Sequence, residues 1–439
     1  MASPRDYTII VVVILLSFSC SKNITFAESG TQAEVPTLCL LALVPTTETT
    51  GLPYQRGEDL IAVAQLALDE INLRDDILPG YELELVPANA ESCNQSLVTE
   101  AVVNFVEHVP SGVLNIVGVV GLVCSAVTQA VSPLAARPEI DLLQISAGAT
   151  SPVFTNEEEY PRLYRMISSS AVYNDAVLAL IDTFQWRRIS VVRDTILNQH
   201  LTTADDFLSK VGSRSELDLV YLGDVTSRFS TSPIQRLLPE AARIIYASVT
   251  VFEACELLCE SYQRGIRWPE FVWLFHDISL DDLVNGTGTC NSETMFKAVE
   301  GVFLLQYKFD PDPNATLVSG QTYSEYLSEL QDHMIQENQH ANAMYDSIWA
   351  FALALNNLTA EELENFTPGH MEEYVQQYSS GDSHSCHGDR SRHVNQCLSQ
   401  SCSSQYNIYH AVLGLERSSA KVATLLFLLG STQNGLYYE

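Results

Sequence analysis

The run Leu38-Cys-Leu-Leu-Ala-Leu-Val44 is apolar throughout, and it is soon followed by Asp59-Leu-Ile-Ala-Val-Ala-Gln-Leu-Ala-Leu-Asp-Glu-Ile71. A short run with no polar alternation suits a strand buried on both faces. In the second segment Leu60, Val63, Ala64, Ala67, Leu68 and Ile71 recur at helical spacing, while Asp59, Asp69 and Glu70 fall outside that stripe. A buried strand followed by a one-sided helix is the opening of a βαβ unit, whose parallel strands need helices on both faces.

The alternation continues outward from this unit. Strands are expected at Leu83 to Val86, Leu114 to Val120 and Leu142 to Ile145, with helices through Val98, Ala101, Val102 and Phe105 and from Ser125 onward. These complete one doubly wound lobe. A second set follows, with strands near Ile189 to Val192, Leu217 to Leu222, Arg243 to Ala247 and Phe271 to Phe275, and helices around Val177 to Phe184 and Val251 to Tyr262. After a strand at Val302 to Tyr307, Met344, Tyr345, Ile348, Trp349, Ala352 and Leu355 share a helix face and carry the chain back to the first lobe. The expected division is a leader over 1–27, the first lobe over 36–170, the second over 171–300, a first-lobe return over 301–370, and an irregular Cys/His/Ser-rich segment with final second-lobe strands over 371–439. Length agrees, since 439 residues exceed what one hydrophobic core usually supports.

The 54 acidic residues outnumber 23 basic ones, a formal charge of −31. Such a surface repels nucleic acid and anionic membranes. Arg5 followed by the apolar Thr8 to Phe18 reads as a secretory leader, with small residues near Ser19 and Ala27 as cleavage points. No later segment is long and apolar enough to read as a transmembrane helix. Sequons at Asn23, Asn94, Asn285, Asn314, Asn357 and Asn365, with ten cysteines, fit an oxidising secretory route and an extracellular location.

Enzyme signatures are missing: there is no Gly-x-Ser-x-Gly, His-Glu-x-x-His, Walker loop or Gly-x-Gly-x-x-Gly. No cofactor is called for, and the expectation is a binding cleft rather than an enzyme. The turns Gly121 to Ser125 and Ser146 to Pro152 follow strands and face one crevice. Hydroxyls and helix-start N–H groups there suit a carboxylate, although Ser125 and Thr150 serve equally well as helix caps. His384, Cys386, His387, His393, Cys397 and Cys402 match no zinc spacing, so a disulfide-tied loop and no metal are expected.

Several segments together resemble a known family: Asp76-Ile-Leu-Pro-Gly-Tyr-Glu-Leu83, Val123-Cys-Ser-Ala-Val-Thr128, Ser146 to Pro152, Tyr160-Pro161 with Arg165, and Tyr345-Asp-Ser-Ile-Trp349. Over Leu38 to Leu355 the chain is similar to the ligand-binding region of metabotropic GABA-B receptors, of the class C G-protein-coupled receptors. The resemblance implies a periplasmic-binding-protein-like type I fold, a bilobed Venus flytrap of two doubly wound parallel-sheet lobes. It implies disulfides Cys93 to Cys124 and Cys259 to Cys290, each closing a loop of about 31 residues, and leaves Cys39 and Cys255 as buried thiols.

In that family a serine after the first disulfide cysteine and a hydroxyl in the next turn hold a ligand carboxylate, which here assigns Ser125 and Thr150. The family's residues for the amine end map onto Leu52, Ile167, Thr250, Ile278 and His340. None of these carries a negative charge, so a ligand less cationic than GABA is expected. Either the cleft takes another amino-acid-like ligand by lobe closure, or the chain supports a GABA-B-like partner subunit through its first lobe without binding agonist. A secreted binding protein or decoy is the alternative, with a cleft enzyme or a structural adhesion ectodomain behind it. The family's seven-helix membrane domain has no counterpart before Glu439.

Overall fold

The computed structural model describes residues 35–46, 55–90, 115–226, 243–307 and 312–371 apart from single positions, together with 233–234 and the strand pair 407–413 and 423–429. The first lobe contains β1 (Thr37–Val44), α1 (Gln55–Asn72), β2 (Glu82–Asn89), β3 (Asn115–Gly121), α2 (Ser125–Ala135), β4 (Gln144–Ser146) and β5 (Leu163–Arg165). Its five strands are parallel, in the order β2-β1-β3-β4-β5. The unbroken hydrophobicity of β1 now has its reason. Leu38, Leu40, Ala42 and Val44 enter the core shared with α1, whereas Cys39, Leu41 and Leu43 enter the opposite core with Val127 and Val131 of α2. Pro87, which cannot donate to a ladder, is tolerated because β2 is an edge strand.

The second lobe contains α3 (Ala171–Thr183), β6 (Arg188–Asp194), α4 (Asn198–Gly212), β7 (Asp218–Val225), β8 (Ile244–Ser248), α5 (Val251–Gln263), β9 (Val272–His276), α6 (Leu280–Asn285), α7 (Ser292–Ala298) and β10 (Phe303–Tyr307). Its sheet runs β12-β11-β10-β9-β8-β6-β7, where β11 (Asn407–Leu413) and β12 (Ala423–Leu429) add an antiparallel pair to five parallel strands. Side chains alternate again: Ile245, Ala247, Trp273 and Phe275 pack with α5, while Tyr246, Val272 and Leu274 pack with α3 and with Phe207 of α4. Both lobes are therefore α/β sheets covered on two faces.

The chain then returns to the first lobe through α8 (Tyr323–Asp332) and α9 (Gln339–Asn356). Met344, Tyr345, Ile348, Trp349, Ala352 and Leu355 of α9 lie in the core that contains α1 and one face of β1. The return is later than the expected 301, because β10 pairs with β9 and so belongs to the second sheet. The sheet to which a strand belongs is invisible to hydrophobic periodicity, which reports burial and not which sheet buries the strand.

Cys259 and Cys290 form a disulfide, and Cys255 is a buried free thiol. Cys124 is disulfide-bonded, and its expected partner Cys93 lies outside the described residues. Cys39 is disulfide-bonded too, which corrects its reading as a thiol. A strand cysteine looks equally apolar in either state, so burial could not separate them. Of the sequons, Asn285, Asn314, Asn357 and Asn365 are exposed; Asn23 and Asn94 lie outside the described residues, as do the leader, the helix expected at 98–105, and the segment from His384 to Cys402. Among the described residues no helix is long and apolar enough to cross a membrane, and no group of three His, Cys, Asp or Glu side chains is placed to hold a metal.

Candidate functional site

Parallel α/β sheets open their crevices beyond the carboxyl ends of the strands, where the strand order reverses. In the first lobe that reversal lies between β1 and β3, and β3 ends at Gly121. Gly121 has φ +87°, and a Cβ there would stand 2.7 Å from the Leu43 carbonyl oxygen, so only glycine fits. The chain turns through Cys124, the N-cap of α2, and Ser125 is the first helical residue. Cys124 makes no side-chain cap, and Ser125 is not in the capping position.

The second turn is seated on the first. Gly148 makes this possible, since a Cβ would lie 2.7 Å from Val123 Cα. Ser146 donates its hydroxyl to the Leu122 carbonyl at 2.8 Å and accepts from the backbone N–H of Ala149 at 2.9 Å. The Ser151 N–H donates to Ser125 Oγ at 3.3 Å, which leaves the Ser125 proton to be donated elsewhere. Thr150 does not cap a helix either: the short 3-10 turn that follows is capped by Ser151, whose hydroxyl accepts from Val153 N–H. The Thr150 hydroxyl is buried with no hydrogen-bond partner among the described residues. Ser125 is 4% exposed and Thr150 8%. Two buried hydroxyls with donor capacity to spare thus flank the N-terminus of α2, where backbone N–H groups and the helix dipole favour an anion.

A positive charge lies under this turn. Arg165, at the end of β5, is 2% exposed and donates Nη1 to the carbonyl oxygens of Ser151 at 3.1 Å and Ala149 at 3.5 Å. Burial lowers its pKa to about 10, so it remains cationic at neutral pH. No carboxylate pairs with it among the described residues, and its guanidinium lies 5.9 Å from the centre of the Phe154 ring. His340, at the start of α9, reaches the same turn, with Nδ1 3.1 Å from the Ala147 carbonyl and therefore protonated.

The lobes meet here. Ser170, where the chain enters the second lobe, donates its N–H at 2.8 Å and its hydroxyl at 3.1 Å to the Thr150 carbonyl. Asn198 of α4 donates to Gln129 of α2 at 2.9 Å. Ser151 and Thr202 of α4 share a 2.8 Å hydrogen bond.

The other residues expected at the amine end are less free to act. Thr250 is the N-cap of α5, and its hydroxyl is engaged with Glu253 in a capping box. Ile278 packs into the second-lobe core at 2% exposure, and Ile167 is buried. Leu52 lies outside the described residues. The structure therefore gathers Ser125, Thr150 and His340 around one turn, and gives Thr250 and Ile278 structural roles.

Sequence reading missed three features. Arg165 was noted only as a family marker, and a lone arginine in a strand gives no sign that it is buried without an acid. Tyr173 and Asp277 were not noted at all. Asp277 follows β9 directly, and the rule that crevices open at strand carboxyl ends could have found it.

A family model described as receptor family ligand binding region matches residues 61–404. The chain is 28% identical over 353 residues to the gamma-aminobutyric acid type B receptor subunit 1 of Caenorhabditis elegans, covering 76% of this chain and 38% of that protein. It is 26% identical over 309 residues to the mouse subunit 1, covering 68% and 31%. To the human gamma-aminobutyric acid type B receptor subunit 2 it is 22% identical over 327 residues, covering 72% and 33%. The chain spans about a third of the length of these relatives.

Proposed function

Because this chain belongs to the receptor family ligand binding region, a family of receptor modules and not of enzymes, we propose that it captures a small carboxylate-bearing ligand of the amino-acid type between its lobes. The observation that carries this reading is the first-lobe turn. Ser125 and Thr150 present buried hydroxyls, the latter without a partner among the described residues, at the start of α2 and above the Arg165 guanidinium, which no carboxylate among the described residues neutralises. Three sources of positive potential converge, while the protein as a whole is strongly acidic. A carboxylate bound there would satisfy donors that otherwise have no partner.

Capture couples to lobe movement because the turn is also where the lobes touch, through Ser170, Thr202 and Asn198. A ligand that binds the closed arrangement better shifts the population toward it. The domain acts on the outside of the cell, reporting closure to a membrane-bound partner subunit through its first lobe.

A second reading rests on a specific observation. Thr250 is locked in its capping box and Ile278 in the core, so the wall opposite the carboxylate lacks two of the polar contacts expected of an agonist site. On this reading the domain supports a partner subunit and closes on nothing. Calorimetric titration with a panel of α-, β- and γ-amino acids separates the two. Saturable binding weakened by Ser125→Ala is the expected result. Absence of heat and of any shift in melting temperature across the panel overturns ligand capture in favour of support.

A further inference from the structure

The second lobe has a cavity at its end remote from the crevice. α5 begins on the crevice side, at its cap Thr250 just after β8, and its 13 residues carry the chain about 20 Å away. Past Gln263 the chain turns through Gly265, at φ +79°, to Arg267. The carbonyls of the last helical turn are closed within this turn, since Arg264 donates its N–H to Glu260 and Ser261, Gly265 to Tyr262, and Ile266 to Ser261. The disulfide from Cys259 to Cys290 ties a second segment, Thr289 to Thr294, to the same end of α5. Between the two segments lies a cavity of about 600 Å³.

Its wall holds one cation that nothing neutralises. The Arg267 guanidinium stands 4.9 Å from the centre of the Tyr262 ring, and among the described residues it meets no carboxylate and no carbonyl. Its basic neighbours differ, because Arg264 is paired with Glu260 and Lys297 with Glu293. Glu256, the acid behind the wall, is 8% exposed and accepts from the Thr289 N–H at 2.6 Å and the Thr289 hydroxyl at 3.0 Å. Asn291 Oδ1 caps α7 by accepting from the Thr294 N–H at 2.9 Å, which leaves the Asn291 amide hydrogens for a ligand. The Thr294 hydroxyl has no partner among the described residues. A Cβ on Gly265 would meet nothing within 4 Å, so the cavity is open over this turn.

These features narrow the ligand. The volume suits a small organic molecule and far exceeds a bare ion. A wall of guanidinium, amide and hydroxyl groups offers little to an aliphatic ligand. One guanidinium without an acid calls for a single carboxylate, which it can hold through two parallel bonds. The amides of Asn291 and Gln263 and the hydroxyl of Thr294 can donate and accept, as ring hydroxyls require. A peptide ending in a carboxylate would also reach Arg267, but neither segment is a strand with an edge for it to pair with.

We propose that this cavity binds an acidic saccharide, with the carboxylate on Arg267 and ring hydroxyls on Asn291, Thr294 and Gln263. The site is separate from the crevice between the lobes and does not depend on ligand capture there.

The test titrates the whole chain with three probes, read by saturation-transfer NMR: sialyllactose, lactose, which lacks the acidic sugar, and a tetrapeptide ending in aspartate. Arg267 is exposed and holds no other residue by a hydrogen bond or ion pair from its side chain, so Arg267→Gln should fold, and unchanged melting temperature checks this. Wild type should bind sialyllactose at least tenfold more tightly than lactose or the peptide. Arg267→Gln should remove that preference, and the isosteric Thr294→Val should weaken sialyllactose binding roughly two- to tenfold. Equal binding of lactose, tighter binding of the peptide, or no transfer to sialyllactose would each overturn the proposal. So would sialyllactose binding that Arg267→Gln leaves intact, since the carboxylate would then sit elsewhere.

Discussion

Ser151 Oγ of the first lobe lies 2.8 Å from Thr202 Oγ1 of the second, and the direction of this bond can be assigned. Thr202 already donates its proton to the Asn198 carbonyl of its own helix at 2.9 Å, so Ser151 is the donor across the lobes. Together with Asn198 and Gln129, it fastens α4 to the first lobe beside the candidate ligand site. The double variant Ser151→Ala/Asn198→Ala should cost this contact about 1–3 kcal/mol. Solution scattering should show a larger radius of gyration with unchanged far-ultraviolet circular dichroism. Scattering identical to wild type would show that these bonds do not hold the lobes together.

Ser125→Ala removes a hydroxyl whose oxygen is engaged by Ser151 N–H and whose proton remains for a ligand. Carboxylate binding should weaken by about 1–3 kcal/mol, roughly five- to 150-fold. Titration calorimetry measures this directly, and micromolar binding of GABA unaffected by the replacement would place the carboxylate elsewhere.

Arg165→Met replaces a buried cation by an apolar chain of similar length, removes the Arg165 donor from the Ala149 carbonyl and leaves the Ser151 carbonyl with the longer bond from Phe154 N–H at 3.4 Å. A stability loss of about 1–3 kcal/mol is expected, with weaker carboxylate binding beyond what Ser125→Ala causes. Arg165→Lys should not restore either property, because a compact ammonium is more strongly hydrated than a guanidinium and costs more to bury at 2% exposure. Chemical denaturation and calorimetry on the three proteins test this, and full rescue by lysine would show that any buried cation serves at this position.

Acid sensitivity should originate in the second lobe. His276 is 2% exposed, with Nε2 3.0 Å from Ser248 Oγ and Nδ1 without a partner among the described residues, and it stands near His200. Burial lowers the pKa of His276 to about 3 and that of His200 to about 4. A histidine whose folded-state pKa is depressed contributes no penalty above its unfolded value of about 6.5, and stability is lost as pH falls below that value toward the folded pKa. Each group sets a limiting slope of about 1.4 kcal/mol per pH unit in that window. Glu70 and Asp346 act in the opposite sense, since burial raises both to about 7 and acidification through that value favours the folded state. The difference between wild type and His276→Gln therefore isolates the histidine. Denaturation at pH 7.5, 6, 5 and 4 should show the variant losing less stability on acidification, and parallel losses would refute the assignment.

The disulfide Cys259 to Cys290 closes a 31-residue separation on the second lobe. Replacing both cysteines by alanine should cost about 3–4 kcal/mol if the effect is mainly the freedom returned to the unfolded chain. Reversible denaturation of the double variant measures it, and a loss under 1 kcal/mol would mean that the unfolded chain is already constrained there.

What the sequence determined alone is the α/β architecture. A continuous apolar run as short as 38–44 suits a strand covered on both sides, and the stripe from Leu60 to Ile71 suits a one-sided helix, because solvation favours both patterns locally. The turns after β3 and β4 were legible for the same reason: Gly121, Gly148 and their serines are dictated by nearby backbone. What only the tertiary structure decided was the electrostatics of the crevice. Arg165, Tyr173 and Asp277 acquire meaning from residues far away in the chain, the buried guanidinium from Ser151 and the exposed carboxylate from a phenol 104 positions earlier. Whether Thr250 serves a ligand or a helix, whether Cys39 is a thiol, and which sheet owns β10 are likewise questions of partners, and hydrophobic periodicity records burial without recording who does the burying.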